Sequence, residues 1–340
     1  MMARKFNEDN ERIKRQYLHF LREAKRCDGT TVDKAADAIL RFERGTGFKT
    51  FKRFHIEQAV AFKRQLEADR NSRTGKPLSK ATIDGALRAV KAFVMWLAGQ
   101  PGYKSRITYA DAEYFNLNAK DARIAHADRD SPFPTMEQCR HAFGLMPSAT
   151  DIDRRNKALF AFLMLTGARD GAIASLRLKH IDLAQNCVYQ DARDVKTKFS
   201  KTFTTWFLPV DPAYLAAFVD WVTFLRTDLL FGNDDALFPK PQMGVKDGAF
   251  AVIGLVREPY ADAAAIREAI KGAFVAAGLQ PFGPHSFRRT LVKHGDQVCN
   301  TREQFKAWSQ NLGHDSVVTT LSAYCPVSSE RQAELIRSLA

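Results

Sequence analysis

Arginine, lysine, histidine and tyrosine recur in five short segments of the second half of the chain, in an order that suits chemistry on a phosphodiester. The segments are L-T-G-A-R ending at Arg169, S-K-T over 200–202, H-S-F-R from His285 to Arg288, L-G-H ending at His314, and T-T-L-S-A-Y ending at Tyr324. A phosphodiester attacked by an oxygen passes through a five-coordinate phosphorus whose equatorial oxygens gather negative charge. Without a metal, fixed cations and hydrogen-bond donors must stabilise that state. Guanidinium forks suit this because each gives paired hydrogen bonds and never loses its charge, which makes Arg169 and Arg288 the candidates. Arg169 follows Gly167, where the chain turns out of an apolar helix, and Arg288 lies one helical turn after His285, so both can reach one phosphate. Tyr324 offers a nucleophilic hydroxyl. A free phenol has a pKa near ~10, so attack at neutral pH needs nearby cations or a base, and His285 is the candidate base. His314 is expected to hydrogen-bond a non-bridging oxygen. Attack would leave a covalent phosphotyrosine that retains the energy of the broken bond, so no nucleotide cofactor is expected, and the chain has no G-x-x-x-x-G-K-[ST] loop.

Taken singly, each residue has an ordinary reading: a surface arginine after a helix end, a helix-start histidine, a tyrosine packed on a helix edge. The ordered set reverses that, because its order and spacing resemble the tyrosine recombinase (phage integrase) family over about 135–340. The resemblance implies a site-specific recombinase that cuts and rejoins double-stranded DNA one strand at a time, with neither metal nor cofactor. It also implies a homotetramer on DNA, a link to the 3′ phosphate and a freed 5′ hydroxyl. In that family a hairpin lysine protonates the leaving 5′ oxygen. Lys196, Lys198 and Lys201 compete for the role, and Lys201 is chosen because S-K-T followed by an apolar strand ending at Pro209 matches the pattern best.

One departure concerns the acid that many members carry three positions after the first arginine. Here that place is Ala172, with Asp170 adjacent to Arg169 instead, which puts the arginine's supporting contacts in question. An accessory arm-site-binding domain before residue 6 is not expected. Two other readings share the fold: a relaxing enzyme like a type IB topoisomerase, working as a monomer, and a DNA-binding factor without catalysis. Neither the DNA site, the direction of the event nor an accessory directionality factor can be named from the sequence.

The elements that would position these residues are mainly helical. Apolar residues at helical spacing predict helices over 6–26, 32–42 and 55–69, and a fourth from an N-cap at Ser79 to about Leu97. This four-helix unit, spanning 1–110, resembles the family's core-binding domain. On the fourth helix Lys80, Arg88 and Lys91 share a face beside the apolar stripe and are read as facing DNA phosphates. Periodicity weakens between 111 and 134, which reads as a linker closed by Pro132 and Pro134. Thr135 with Gln138 is a capping-box pattern that opens the catalytic domain, 135–340. Cys187–Tyr189 and Phe203–Leu208 suit a hairpin. Beyond Pro212, helices are expected at 213–226, 261–277, 286–298, 302–311 and 329–339, the last docking on a neighbouring copy as the resemblance favours. The fold class expected is mainly α with one small antiparallel sheet (α+β).

Composition agrees with a polyanion as partner. Lysines and arginines outnumber carboxylates by 51 to 38, a formal charge of +13, and 45% apolar content with 11% aromatics excludes wholesale disorder. Cys27, Cys139, Cys187, Cys299 and Cys325 show no metal-ligand or disulfide spacing. The start has no signal-peptide core and the longest apolar run, Ala158 to Leu165, is too short to span a bilayer. A cytoplasmic, nucleoid-associated protein without a membrane partner is expected.

Overall fold

The computed structural model describes residues 6–72, 74–127, 132–197, 200–246 and 248–314. Tyr324, Cys325, Lys198 and the helix expected at 329–339 lie outside the described residues. The chain divides into two compact units, Met1–Arg129 and Asp130–Ala340.

The first unit is built on α1 (Glu8–Glu23), α2 (Gly29–Gly45), α3 (Ile56–Ala68) and α4 (Lys80–Ala98). Side-chain caps set three of the starts: Asn7, Asp28 and Ser79 accept from the N–H groups of Asn10, Thr31 and Thr82. The inward stripes meet in one core where Phe42 packs edge-on against Phe62 and Phe115, with ring centroids 5.3 and 5.5 Å apart. A polar network crosses the α1–α2 contact. Glu43, fully buried, accepts from Lys14 and from Asn10 Nδ2 at 3.0 Å, while Asn10 Oδ1 accepts from the Phe51 N–H at 2.9 Å.

The structure differs from expectation at 111–126. Instead of open linker, a 3-10 turn at Ala110–Phe115 and α5 (Ala119–His126) fold onto α4. Tyr103, Ile107, Ala112 and Phe115 are buried along this stretch, in turns and a short 3-10 segment rather than on one long α-helical stripe.

The second unit runs α6 (Met136–Leu145), α7 (Asp151–Thr166), α8 (Asp170–Ile173), β1 (Ile181–Asp182), β2 (Cys187–Gln190), β3 (Phe203–Trp206), α9 (Pro212–Thr227), β4 (Pro241–Lys246), β5 (Ala249–Leu255), α10 (Ala264–Ala276), α11 (Pro284–Val298) and α12 (Arg302–Asn311). Every residue from Ala158 to Thr166 is buried, so the apolar run is a core helix enclosed by its neighbours. Phe162 of α7 meets Phe218 of α9 at 5.0 Å, and Phe160 meets Phe287 of α11 at 4.9 Å. The Thr135–Gln138 and Thr301–Gln304 capping boxes are both formed.

The class is α+β as expected, with two antiparallel sheets rather than one among the described residues. The expected hairpin pairs Cys187 with Trp206 and Gln190 with Phe203, and the two-residue β1 adds a third strand. The second sheet, β4–β5, falls between the helices expected at 213–226 and 261–277, where no element was expected. Its signal was an Asp-Gly pair at 247–248 between alternating residues, and Gly248 has φ +77°, which a side chain would strain. One face of this hairpin carries Met243 opposite Val252 and Val245 opposite Phe250, the last pair 73% and 74% exposed. No helix among the described residues is long and apolar enough to cross a membrane.

Candidate active site

Two helix ends meet at the centre of the second unit. Helix α7 stops at Gly167, which takes φ +56°, and α12 stops at Leu312. A Cβ on Gly167 would come within 2.6 Å of Leu312 Cδ2, so the approach requires glycine on both grounds. Gly313 follows in the same left-handed region, φ +73°, and closes α12 with hydrogen bonds from His314 N to Ser309 O and from Gly313 N to Gln310 O. Those turns deliver Arg169 just past one helix end and His314 just past the other.

Arg288, on α11 and only 2% exposed, bridges the two ends. Its Nη1 donates to the carbonyl oxygen of Gly167 at 2.6 Å, and its Nη2 donates to the carbonyl oxygen of Leu312 and to His314 Nε2, the latter at 2.8 Å. Terminal carbonyls of helices lack intrahelical partners and carry partial negative charge, so they hold a guanidinium well. Because arginine only donates, His314 Nε2 must accept, and the ring proton of His314 therefore sits on Nδ1.

Arg169 is half-buried at the start of α8 and lines a small cleft with Arg288, Gln190, Thr205 and Asn311. Electrostatics place the two histidines beside the same two guanidiniums. Burial, then the charges of Arg288, Arg169 and His285, push His314 down to about 4. His285, in the first turn of α11, is lowered by desolvation and then by Arg288 and Arg169, with Asp170 opposing. Its residue surface is exposed, so the desolvation comes from the crowded walls around the ring rather than from full burial. Both imidazoles are therefore neutral at neutral pH.

Asp170 sends Oδ2 to Arg267 Nε on α10 at 2.5 Å and Oδ1 to the Gly171 N–H, while Ala172, at the place of the family's acid, is buried. Of the hairpin lysines, Lys196 gives its ammonium to the carbonyl oxygen of Ala261 at 3.1 Å. Lys201 is half-buried, and its carbonyl oxygen accepts from Thr197 Oγ1 at 2.7 Å. Asn311 went unnoticed in the sequence. Its amide takes the place of a fourth strand, accepting from the Trp206 N–H at 2.7 Å and donating to the Trp206 carbonyl oxygen at 2.8 Å, which ties β3 to α12. Among the described residues no three His, Cys, Asp or Glu side chains gather in a way that would hold a metal ion.

The α4 cations are placed differently from expectation. Lys80 pairs with Asp121 at 2.8 Å and Glu67 at 3.2 Å, Arg88 with Asp84, and Lys91 with Glu113 at 2.9 Å. The segment read as linker supplies two of these acids and lays them across the basic face, so each of these cations is paired with a carboxylate.

The fold is shared with solved DNA-bound proteins. A lambda integrase fragment, a dimer bound to a COC′ core site, matches with TM-score 0.62 at 13% identity over 92% of this chain and 94% of that one. The Tn1549 transposon integrase in complex with transposon right-end DNA matches with TM-score 0.62 at 15% identity over 96% and 99%. The XerH site-specific recombinase, in a post-cleavage complex with a palindromic difH substrate, matches with TM-score 0.59 at 17% identity over 99% and 90%. No curated protein sequence matches the chain. The model of the phage integrase family matches residues 144–331, more than half of the chain and the span from the end of α6 past the paired arginines to Tyr324. On that match, the chain belongs to the phage integrase family.

Proposed function

We propose that this protein is a site-specific recombinase that cuts and rejoins duplex DNA through a covalent phosphotyrosine at Tyr324. The observation that carries the reading is that Arg169 and Arg288 line one cleft, with Arg288 held by backbone carbonyls at two helix ends and bonded to His314, and with His285 within the field of both guanidiniums. In this mechanism the two guanidiniums take the scissile phosphate and stabilise the charge that grows on its equatorial oxygens. His314 Nδ1–H donates to a non-bridging oxygen. His285, kept neutral, accepts the phenolic proton as Tyr324 attacks phosphorus. The phosphorus–O5′ bond breaks and Lys201 gives the leaving oxygen its proton. Reversal, with a 5′ hydroxyl as nucleophile, rejoins the strand without ATP or metal. A tetramer on DNA is the working form in this proposal, with an accessory factor setting direction.

Tyr324→Phe tests the nucleophile. The variant should fold and bind DNA as wild type does yet give no covalent complex on a nicked suicide substrate, since only the attacking oxygen is lost. A Phe variant that still becomes trapped on that substrate would exclude Tyr324. Relaxation of unrelated plasmids at monomer concentrations would instead point to the topoisomerase-like reading.

A further inference from the structure

The connection from β2 to β3, which bears Lys201, is fastened in a way the reaction does not by itself require. Asp191, buried at 7% exposure, folds its first turn: Oδ1 accepts from the Arg193 N–H at 2.9 Å, and its carbonyl oxygen accepts from the N–H groups of Asp194 and Val195 at 3.1 and 2.7 Å. That turn drives Val195, 2% exposed, into the main core.

Three ties hold the outer side. Asp194 Oδ2 pairs with Lys179 Nζ at 2.9 Å and lies 3.6 Å from His180 Nε2, beyond hydrogen-bond reach. The Lys196 N–H donates to Ser175 Oγ at 2.9 Å, and its ammonium to Ala261 O at 3.1 Å. The Arg177 N–H donates to His180 Nδ1 at 2.9 Å, so the proton of that buried ring sits on Nε2, the nitrogen facing Asp194. The second arm then hangs from the fastened one: Thr197 Oγ1 donates to the Lys201 carbonyl oxygen at 2.7 Å, and the Ala192 N–H donates to Thr202 Oγ1 at 3.0 Å.

A proton donor must come within hydrogen-bond reach of the leaving oxygen, and a misplacement of about 1 Å costs on the order of 10²-fold. We infer that Asp194, held by Lys179, is a positioning residue that holds the β2–β3 connection so that Lys201 meets the leaving 5′ oxygen. The inference rests on the reading of Lys201 as proton donor. Asp194 and Lys179 are both partly exposed, so the pair adds little to global stability; its loss loosens the loop while the fold persists.

The test measures single-turnover cleavage by the full-length protein on two nicked substrates, one with a normal 5′ oxygen at the scissile position and one with a 5′-bridging sulfur that leaves unprotonated. Asp194→Asn and Lys179→Gln should each slow the oxygen substrate by roughly tenfold, a part of the 10²–10⁴ that a general acid supplies, and leave the sulfur substrate within about twofold of wild type. DNA affinity and melting temperature should stay unchanged, and Asp194→Glu should recover part of the rate. Equal slowing on both substrates, or no slowing on either, overturns the inference. Lys201→Ala run alongside separates the two ideas. If it is selective for oxygen and Asp194→Asn is not, the inference alone falls; if it slows both substrates alike, the proton-donor reading falls and takes the inference with it.

Discussion

Two groups of cations in this molecule are held by opposite means. On α4, Lys80, Arg88 and Lys91 are each met by a carboxylate from α3, α4 or the segment 110–126. In the second unit Arg288 is met by the carbonyl oxygens of Gly167 and Leu312 and by a neutral imidazole. A carboxylate orients a cation and cancels its field. A carbonyl orients it and leaves the field standing, which a site for an anionic transition state needs. Burial is the largest cause of the lowered pKa values of His285 and His314, and the charges of Arg288 and Arg169 lower both further, as a standing field would. Position on a helix face was the sequence argument for the α4 cations, and it could not tell which kind of partner each would find.

The sharpest way to break this contrast is Arg288→Lys. An ammonium keeps the charge but cannot reach Gly167 O, Leu312 O and His314 with one rigid fork, so cleavage of a suicide substrate should fall by at least about 10²-fold while DNA binding changes little. A lysine variant with near-normal cleavage would mean that charge alone suffices and the carbonyl clasp is incidental.

An intermediate effect is expected from pH. His314 has a folded-state value of about 4 against an ordinary 6.5, so as pH falls the unfolded chain takes up the proton first. Stability is complete above 6.5 and is lost as pH drops towards 4. Across that window wild type should lose about 5 °C more of melting temperature than His314→Gln. Cleavage should likewise persist below the ordinary histidine range, because the lowered His285 stays a competent base there. Identical pH profiles for wild type and His314→Gln would show that neither burial nor the arginine field lowers His314.

The smallest effects belong to α4. If its cations are neutralised where they stand, Lys80→Met, Arg88→Met and Lys91→Met should each leave the salt dependence of single-site DNA binding nearly unchanged and alter stability by less than about 1 kcal/mol. A loss of about one unit of salt slope per substitution would restore these residues as phosphate contacts and erase the contrast.

Local signals in the sequence carried most of the helices. Ser79, the Thr135–Gln138 and Thr301–Gln304 boxes and the apolar stripes of α1 to α4 are readable because a cap or a period is a property of neighbours in the chain. The β4–β5 hairpin was legible too, through its Asp-Gly turn, but the helical period on either side outweighed it. At 110–126 no period exists to be read, since Ala112 and Phe115 are single plugs whose burial is decided by α4. The same division runs through the site. Motif order drew attention to Arg169, His285, Arg288 and His314, which the fold gathers; the acceptors at Gly167 and Leu312 and the strand-like clamp of Asn311 are main-chain relations between distant segments, and no residue type announces them.

The clasp at Arg288 also bears on when the protein becomes dangerous to DNA. Its guanidinium joins carbonyls 121 and 24 residues away along the chain, so it closes only after α7, α11 and α12 have all docked. Contacts of such long range are made late, after their loops have been closed at an entropic cost. A nascent or partly unfolded copy can still be drawn to a polyanion by its net charge, but it lacks the closed fork that the proposed mechanism needs to steady a scissile phosphate. In that mechanism strand breakage would be confined to molecules that have finished folding.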